Sequence, residues 1–264
     1  MTTSRRRVWW GDFTTSDFES ADRDRTVALL PVAAVEQHGP HLGTGTDATI
    51  ARGMLKTLIG LLPDDLDLRI LPIQSVGKSD EHLSFPGTLH VPATVLIEHW
   101  TALGLSVARA GIAKLVIVNS HGGNEEVMGI VTRNLRVRER MLAVKTSWGR
   151  FGKPGGLFSD AENRYGIHGG DAETSLILHF RPEAADMDRA EDFASVVEAE
   201  EGRFESLRAT GPNAYAWMAE DLNPAGVVGE ASRASAEKGR RLAEHQAKGL
   251  LRLIRDVAAA PLPR

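Results

Sequence analysis

The sequence of 264 residues contains no cysteine. Disulfide bonds and thiolate metal sites are therefore excluded, so any bound metal has to be held by histidine, aspartate and glutamate. The sequence also lacks a run of about 18 uncharged apolar residues, which argues against a membrane-spanning helix. Its basic start, residues 1–7, is followed by no apolar signal-peptide core. These absences favour a soluble, cytoplasmic protein.

A strong charge of one sign is also missing. The formal net charge is −4, from 31 basic and 35 acidic residues, so the chain offers no basic field for nucleic acid or for a membrane surface. Hydrophobic residues make up 42% of the sequence, which is enough to bury a proper core. We expect one domain that spans residues 1–264.

Strand-like and helix-like segments alternate along the chain. Compact apolar runs predict strands at residues 27–32, 68–73, 114–119 and 141–147. Helical spacing of apolar residues predicts helices at 47–62, 93–110, 124–138, 171–180 and 230–258, with a helical or loop excursion at 195–210. Strands separated by helices of this length indicate an α/β fold with a mainly parallel sheet covered on both faces, in three α/β/α layers.

The most informative polar cluster directly follows the first predicted strand. It contains Glu36, His38 and, nine residues after His38, Asp47. Ligand sites in open α/β sheets lie beyond the carboxyl ends of the strands, which is where this cluster falls. Carboxylate and imidazole groups in that place suit Zn, Mn or Fe.

Similar polar clusters follow the next strands. Residues 77–82 come after the second strand, His121 with two glycines follows the third, and His168 and Glu173 lie on either side of a glycine turn at a helix start. Each pattern alone is also typical of a surface ion pair or a simple turn. Because they recur at one edge of the predicted sheet, we interpret them together as one metal site.

These blocks resemble those of the creatininase (creatinine amidohydrolase) family. The resemblance lies in residues 36–42 with Thr46 and Asp47, residues 81–88, residues 119–124 and residues 168–175, which match the family's signature blocks in its order. It implies a compact α/β/α hydrolase with a metal centre, often binuclear, that opens cyclic amides or cleaves formamide and peptide-like bonds.

The resemblance also implies a ligand set. Glu36, His38, Asp47 and His121 match the family's metal ligands, with Asp47 bridging two ions. Creatininase proper has a glutamate two residues after the histidine equivalent to His121, whereas this sequence has Gly123. Glu173 is the best candidate for the carboxylate that replaces it. The departure argues against creatinine itself as the substrate. Other branches with the Gly-Gly form act on formylaminopyrimidines and on a ribosomally made peptide precursor.

Hydrolysis of an amide needs an activated water and a proton for the leaving nitrogen. We expect His168 to carry that proton, because an imidazole with a pKa near 6.5 both accepts and donates near neutrality; orienting Glu173 is its alternative role. We expect Glu173 to be a metal ligand. In the alternative, Glu173 acts as the general base at a site with a single metal ion. Ser79, Tyr165 and Gly122 are the candidates for substrate contact.

The predicted function is metal-dependent hydrolysis of an amide or formamide C–N bond, cyclic in the leading interpretation, in a small-molecule substrate. A metallopeptidase or a lactone hydrolase on the same centre is the alternative, and a non-catalytic metal-binding subunit is a third. The predicted cofactor is a divalent metal, two ions per subunit, as Zn, Mn or both, with Fe also compatible. By family resemblance we expect a homo-oligomer, commonly a hexamer. No nucleic-acid or membrane partner is expected.

Overall fold

The structure is a computed structural model that describes residues 6–263, so residues 1–5 of the basic start and Arg264 lie outside it. The strands are β1 (Val27–Val32), β2 (Leu68–Ile70), β3 (Lys114–Asn119), β4 (Leu142–Ser147), β5 (Asp192–Phe193) and β6 (Gly229–Glu230). The α-helices are α1 (Thr15–Glu19), α2 (Thr46–Leu61), α3 (Ala93–Arg109), α4 (Glu125–Glu139), α5 (Asp160–Tyr165), α6 (Asp171–Phe180), α7 (Val196–Glu201), α8 (Ala219–Leu222) and α9 (Ala236–Ala259).

Strands β1 to β4 form a parallel sheet in the order β2-β1-β3-β4. The register pairs Val27 with Leu68 on one side and with Lys114 on the other. Every residue of β1 and β3 is buried, as expected for a parallel sheet with helices on both faces. The prediction of a mainly parallel sheet is confirmed.

Helices cover the sheet on both faces. Leu58 of α2, Ile177 of α6 and Leu250 of α9 pack with one face of the strands in one apolar cluster. Trp100 of α3 and Met128 of α4 belong to the cluster on the opposite face. The three-layer α/β/α arrangement predicted from the sequence is therefore confirmed. No helix within residues 6–263 has both the length and the apolar character that crossing a bilayer requires.

The long helix α9 is held at both ends. Ser235 precedes it and accepts a hydrogen bond from the Lys238 amide (3.3 Å), so one free N–H of the first turn is satisfied. At the other end, the buried Lys114 of β3 donates to the carbonyls of Ala258 (2.8 Å) and Ala260 (2.7 Å). Since the last carbonyls of a helix lack partners within it, this lysine anchors α9 to the sheet.

Two segments differ from their predicted form, and the predicted helical or loop excursion agrees with it. The second strand ends at Ile70 rather than residue 73, because its register with β1 shifts there: Leu71 donates to Leu29 (2.8 Å), but the next bond, to Pro31, comes from Gln74 (2.9 Å) instead of residue 73. The last helix begins at Ala236 rather than residue 230, because Gly229 and Glu230 pair antiparallel with β5 instead. Residues 195–210 begin with the short helix α7.

Candidate active site

One buried side chain joins the loops that follow β1, β2 and β3. The Asn124 amide nitrogen donates to the carbonyl of Ala33 (3.1 Å) and to the side chain of Asn119 (3.2 Å). The Asn124 side-chain oxygen accepts from the backbone N–H of Lys78 (3.0 Å). Because the side chain is fully buried, these bonds fix the three loops relative to each other.

The loop after β1 turns back on itself before α2. The Glu36 N–H donates to the Thr44 carbonyl (2.9 Å). Gly39 has a φ of +69°, and a Cβ there would lie 2.6 Å from a Val227 methyl, so the turn requires glycine. Asp47 then falls in the first turn of α2, where the helix dipole favours a carboxylate.

The predicted ligands converge at this edge of the sheet. His121 Nδ1 lies 3.0 Å from a Glu36 carboxylate oxygen and 3.5 Å from an Asp47 oxygen. His38 Nε2 lies 3.4 Å from Asp47 and 3.8 Å from Glu173, which sits in the first turn of α6. The structure thus brings together all five residues that the sequence predicts as metal ligands.

Backbone carbonyls orient three histidines of the cluster. His38 Nδ1 lies 3.1 Å from the Glu36 carbonyl, His121 Nε2 2.7 Å from the Lys78 carbonyl, and His168 Nε2 2.8 Å from the Gln37 carbonyl. A carbonyl oxygen only accepts, so each of these nitrogens carries the hydrogen. The other nitrogen of each ring faces a carboxylate, and a metal ion bound between them would replace the proton that the carboxylates otherwise favour on His38 and His121.

Several buried polar atoms of the cluster lack a hydrogen-bond partner among the described residues. They are both Glu36 carboxylate oxygens, His38 Nε2 and Asp47 Oδ2. Leaving such atoms unsatisfied in a protein interior is costly. A divalent metal ion bound to oxygen and imidazole ligands would satisfy them, so the residues present fit the metal that the resemblance implies.

The described residues contain three overlapping sets of three groups close enough to share one ion. The sets are Glu36 with His38 and His168, Glu36 with Glu81 and His121, and His38 with Asp47 and Glu173. Because two of the sets share no residue, the cluster has room for more than one ion.

The mutual contacts shift the pKa values of the cluster. Burial raises the pKa of Glu36, but the facing imidazoles of His121, His168 and His38 outweigh it, so the net pKa lies well below its usual range. Burial and the Glu36 charge raise the pKa of Asp47 to about 6. Burial and the neighbouring His38 hold the pKa of His168 well below its ordinary value. The neutral form of His168 is therefore favoured at pH 7, and its pKa lies below the ordinary value on which its predicted role relies.

Two residues of the site received no role from the sequence, although both lie in the polar cluster after β2. Glu81 is 3.4 Å from His121 Nε2, and a Cβ on Gly123 would lie 2.3 Å from the Glu81 carboxylate. Glu81 thus occupies the space that a side chain at position 123 would need. His82 Nε2 lies 3.5 Å from Glu36, and its ring stacks on His168 with centroids 4.4 Å apart.

A cavity of about 620 Å³ opens above the cluster. Glu36, His121 and His168 lie in its wall, together with Gly122. Its opposite wall is residues 209–218, named here the roof, which includes Tyr215 and Trp217. No local sequence motif marks the roof.

The three residues predicted to contact substrate lie in different places. Gly122 lies in the cavity wall. Ser79 is fully buried beside the ring of His121, with its hydroxyl 3.5 Å from Nε2. Tyr165 packs near the roof, and its hydroxyl donates to Glu201 (3.0 Å). The substrate roles of all three stay predictions.

Histidines and carboxylates that could hold a metal ion, at the carboxyl edge of a parallel sheet and beside an open cavity, indicate the class of α/β hydrolases. Within that class, the chain belongs to the creatininase family, because the family model described as creatinine amidohydrolase matches residues 11–254. The sequence-based assignment is confirmed, and the chain is a hydrolase of C–N amide bonds.

Individual relatives agree with this family. The mycofactocin precursor peptide peptidase of Mycobacterium ulcerans (strain Agy99) is 35% identical over 221 residues, covering 81% of this chain and 78% of that protein. The creatinine amidohydrolase of Pseudomonas putida is 26% identical and covers 95% and 97% of the two chains.

Solved structures share the fold. A putative creatinine amidohydrolase from Bacteroides fragilis NCTC 9343 matches with a TM-score of 0.78 at 21% identity, covering 97% of this chain and 98% of that one. Two creatininases, one a manganese form and the other a Zn–Zn type, each match with a TM-score of 0.74 at 24% identity, over 97% of this chain and 100% of theirs.

Proposed function

We propose that this protein hydrolyses an amide C–N bond of a small substrate with a water molecule activated by divalent metal. The observation that carries this proposal is the buried cluster of Glu36, His38, Asp47 and His121, whose orphaned ligand atoms lie below an open cavity. The candidate ligand atoms and an open cavity thus lie together, which supports the proposal.

Glu36, Asp47 and His121 would hold one ion, and His38, Asp47 and Glu173 a second, with Asp47 shared. Such an ion supplies a water with a pKa lowered to about 7 and polarises the amide carbonyl. Zn and Mn both suit these oxygen and nitrogen ligands, and Fe is compatible. The backbone N–H of Gly169 donates to the Glu173 carboxylate (2.6 Å) and so fixes its direction.

His168 would carry the proton to the leaving nitrogen. Its ring lies in the cavity wall, its Nε2–H is held by the Gln37 carbonyl (2.8 Å), and Nδ1 is free to take a proton. His82, stacked on the same ring, keeps it in place. An amide nitrogen is a poor leaving group unless it is protonated, so this transfer is needed for turnover.

We expect His168→Ala to lower kcat by roughly 10²–10⁴-fold while the metal content per subunit stays unchanged. Steady-state kinetics and elemental analysis of the same preparation give the two values. Loss of metal from the variant would instead assign His168 as a ligand, which its place beside Glu36 and His38 allows.

Glu173 has two candidate roles, which metal content separates. With Glu173 as a ligand, Glu173→Gln should reduce two ions per subunit to one. One ion in both proteins would indicate a single-metal site with Glu173 as general base. No metal in either would overturn the proposal. Glu183→Gln is the matched control, because Glu183 is exposed and pairs with Arg181 away from the cluster.

Peptide hydrolysis is the second candidate function. It is favoured by the 35% identity to a peptidase and by a cavity of about 620 Å³, which is larger than a small cyclic amide needs. A panel of cyclic amides, formamides, short peptides and lactones, with and without added metal, separates these activities. Turnover of lactones alone would contradict amide hydrolysis. For assembly we propose a homo-oligomer, by family resemblance a hexamer, in the cytoplasm.

A further inference from the structure

A second, smaller cavity adjoins the metal cluster on its other side. It has a volume of about 280 Å³ and shares His121, Gly122 and Ile167 with the larger one. Glu173 also lies in its wall, and so does Lys153. This space is named here the Lys153 cavity. Because both cavities border His121, a substrate bound at the cluster can extend into each of them.

Lys153 brings a positive charge to this wall. Within residues 6–263 its ammonium makes no hydrogen bond and no ion pair, and it lies 5.1 Å from the centre of the Phe158 ring. Lys238 lies over the same ring at 5.6 Å but is paired with Asp171. The same wall carries Glu173 and also Glu125, which pairs with Lys145 (2.9 Å). No carboxylate of the described residues lies within ion-pair distance of the partly buried Lys153 ammonium, and such a charge is costly to leave unpaired, so this ammonium is the point in the wall where an anion would bind.

The carboxylates nearest to Lys153 are already engaged. Glu162 accepts from the backbone N–H groups of Ala172 (3.0 Å) and Glu230 (2.9 Å). Glu173 accepts from Gly169 and belongs to the proposed ligand set. Since these groups have their own partners, the ammonium remains available to a ligand.

Two further hydrogen-bonding groups in this wall are unpartnered. The Trp148 side chain is 4% exposed, and its indole nitrogen has no hydrogen-bond partner among the described residues. The Ser120 hydroxyl also has no hydrogen-bond partner among the described residues, and both Trp148 and Ser120 line the Lys153 cavity. An indole N–H only donates, so it adds to the preference for a ligand that accepts hydrogen bonds.

We propose that the Lys153 cavity binds a free carboxylate of the substrate, which makes the substrate an amide with a carboxylate near the scissile bond, such as an N-acyl amino acid or a short peptide with a free C-terminus. This inference rests on the proposed amide hydrolysis. The carboxylate would pair with Lys153, and the group on the other side of the scissile bond would extend below the roof.

The test uses matched pairs of N-acetyl amino acids and their amides, with glycine, alanine and phenylalanine as the amino acid. Binding of each is measured by calorimetry to the metal-loaded wild type, Lys153→Met and Lys153→Arg. We expect the wild type to bind the acids about tenfold more tightly than the amides, since a charged hydrogen bond contributes about 1.5–3 kcal/mol. Lys153→Met should remove this preference, and Lys153→Arg should keep most of it.

Lys248→Met is the control, because Lys248 is exposed and lines a different cavity. Equal or absent binding of acids and amides to the wild type would overturn the proposal. A preference that persists in Lys153→Met would also overturn it, because the carboxylate would then bind elsewhere, for example at the metal. If Lys153→Met does not fold, Lys153→Gln takes its place.

Hydrolysis of the same compounds separates this inference from the proposed function. A preference for acids that depends on Lys153, without turnover of any compound, would contradict amide hydrolysis and leave the carboxylate site standing. Turnover with no preference for acids would support amide hydrolysis and contradict the carboxylate site.

Discussion

The floor and the roof of the large cavity are held in different ways. The floor is the name used here for the buried cluster of Glu36, His38, Asp47 and His121, of which Glu36 and His121 line the cavity. Backbone carbonyls orient its two imidazoles. The roof, residues 209–218, belongs to a small apolar cluster separate from the two main cores. There the Trp217 indole donates to the Ala209 carbonyl (2.9 Å) within the roof itself.

This difference separates the chemistry from the shape of the pocket. The floor residues contact each other and the sheet-edge loops, so a change in one disturbs the others. The roof packs mainly in its own small cluster, which meets the site at Val228, whose N–H donates to the His168 carbonyl (2.9 Å). We therefore expect changes in the roof to leave the ligands in place.

The largest effect is expected from replacing Asn124, the side chain that joins the loops after β1, β2 and β3. Asn124→Ala removes three hydrogen bonds in a buried place and should lower the free energy of unfolding by on the order of 3 kcal/mol. Urea unfolding measures it. Asn134→Ala is the control, because Asn134 makes a single long side-chain bond to Thr101 (3.4 Å). Equal losses in the two variants would contradict the role of Asn124.

The next largest effect on stability is expected from a substitution in the glycine pair after His121. A Cβ on Gly123 would lie 2.3 Å from the Glu81 carboxylate and 2.5 Å from both His121 Nε2 and the Lys78 carbonyl. We expect Gly123→Ala to cost about 2 kcal/mol of unfolding free energy and to weaken metal binding. Gly122→Ala meets nothing within 4 Å and is the matched control. Equal stability of the two variants would show that the loop relaxes easily.

A smaller effect is expected in the roof. Trp217→Ala should raise KM roughly tenfold with metal content unchanged, because an aromatic contact contributes about 0.5–1.5 kcal/mol of binding. Kinetics and elemental analysis on one preparation test this, with Trp217→Phe as the conservative control. Loss of metal from Trp217→Ala would contradict the independence of floor and roof.

The smallest expected effect is a pH dependence of the free energy of unfolding, caused by His41. Burial lowers the pKa of this imidazole to about 4, although its hydrogen bond to the Gly169 carbonyl (3.0 Å) acts the other way. Folding therefore favours the neutral ring. As pH falls from about 6.5 toward 4, the unfolded chain binds a proton at this histidine while the folded protein does not, so the free energy of unfolding decreases. We expect a loss of roughly 0.7 kcal/mol between pH 7 and pH 6 in the metal-free protein. His41→Gln should reduce this loss; an unchanged pH profile would contradict it.

The sequence predicts the floor well because local pattern and topology agree there. β1 and β3 have the predicted bounds, since β-branched and apolar runs bounded by polar residues leave little choice. Parallel strands then bring Glu36 and His121 to one edge. The positions of Asp47 and Glu173 can be predicted as well, because both residues lie in the first turn of a helix that starts at this edge.

The other parts of the site depend on contacts between distant loops. Asn124 bonds to Ala33 across 91 positions, and the carboxylate of Glu81 reaches His121 because position 123 has no side chain. Lys153 and Trp217 come to the site through irregular segments with no periodic signal. For such residues, neither propensity nor spacing identifies a partner before the fold is known.

The backbone hydrogen bonds to His38, His121 and His168 have a consequence for how the enzyme is supplied with its cofactor. Because carbonyl groups orient these rings, the coordination geometry is set by the polypeptide before an ion arrives. The ligand atoms themselves are carboxylate oxygens and imidazole nitrogens, which suit Zn, Mn and Fe alike, so we expect them to accept whichever of these ions is abundant. The metal found in the purified protein would then record the growth medium of the cells rather than a preference built into the fold.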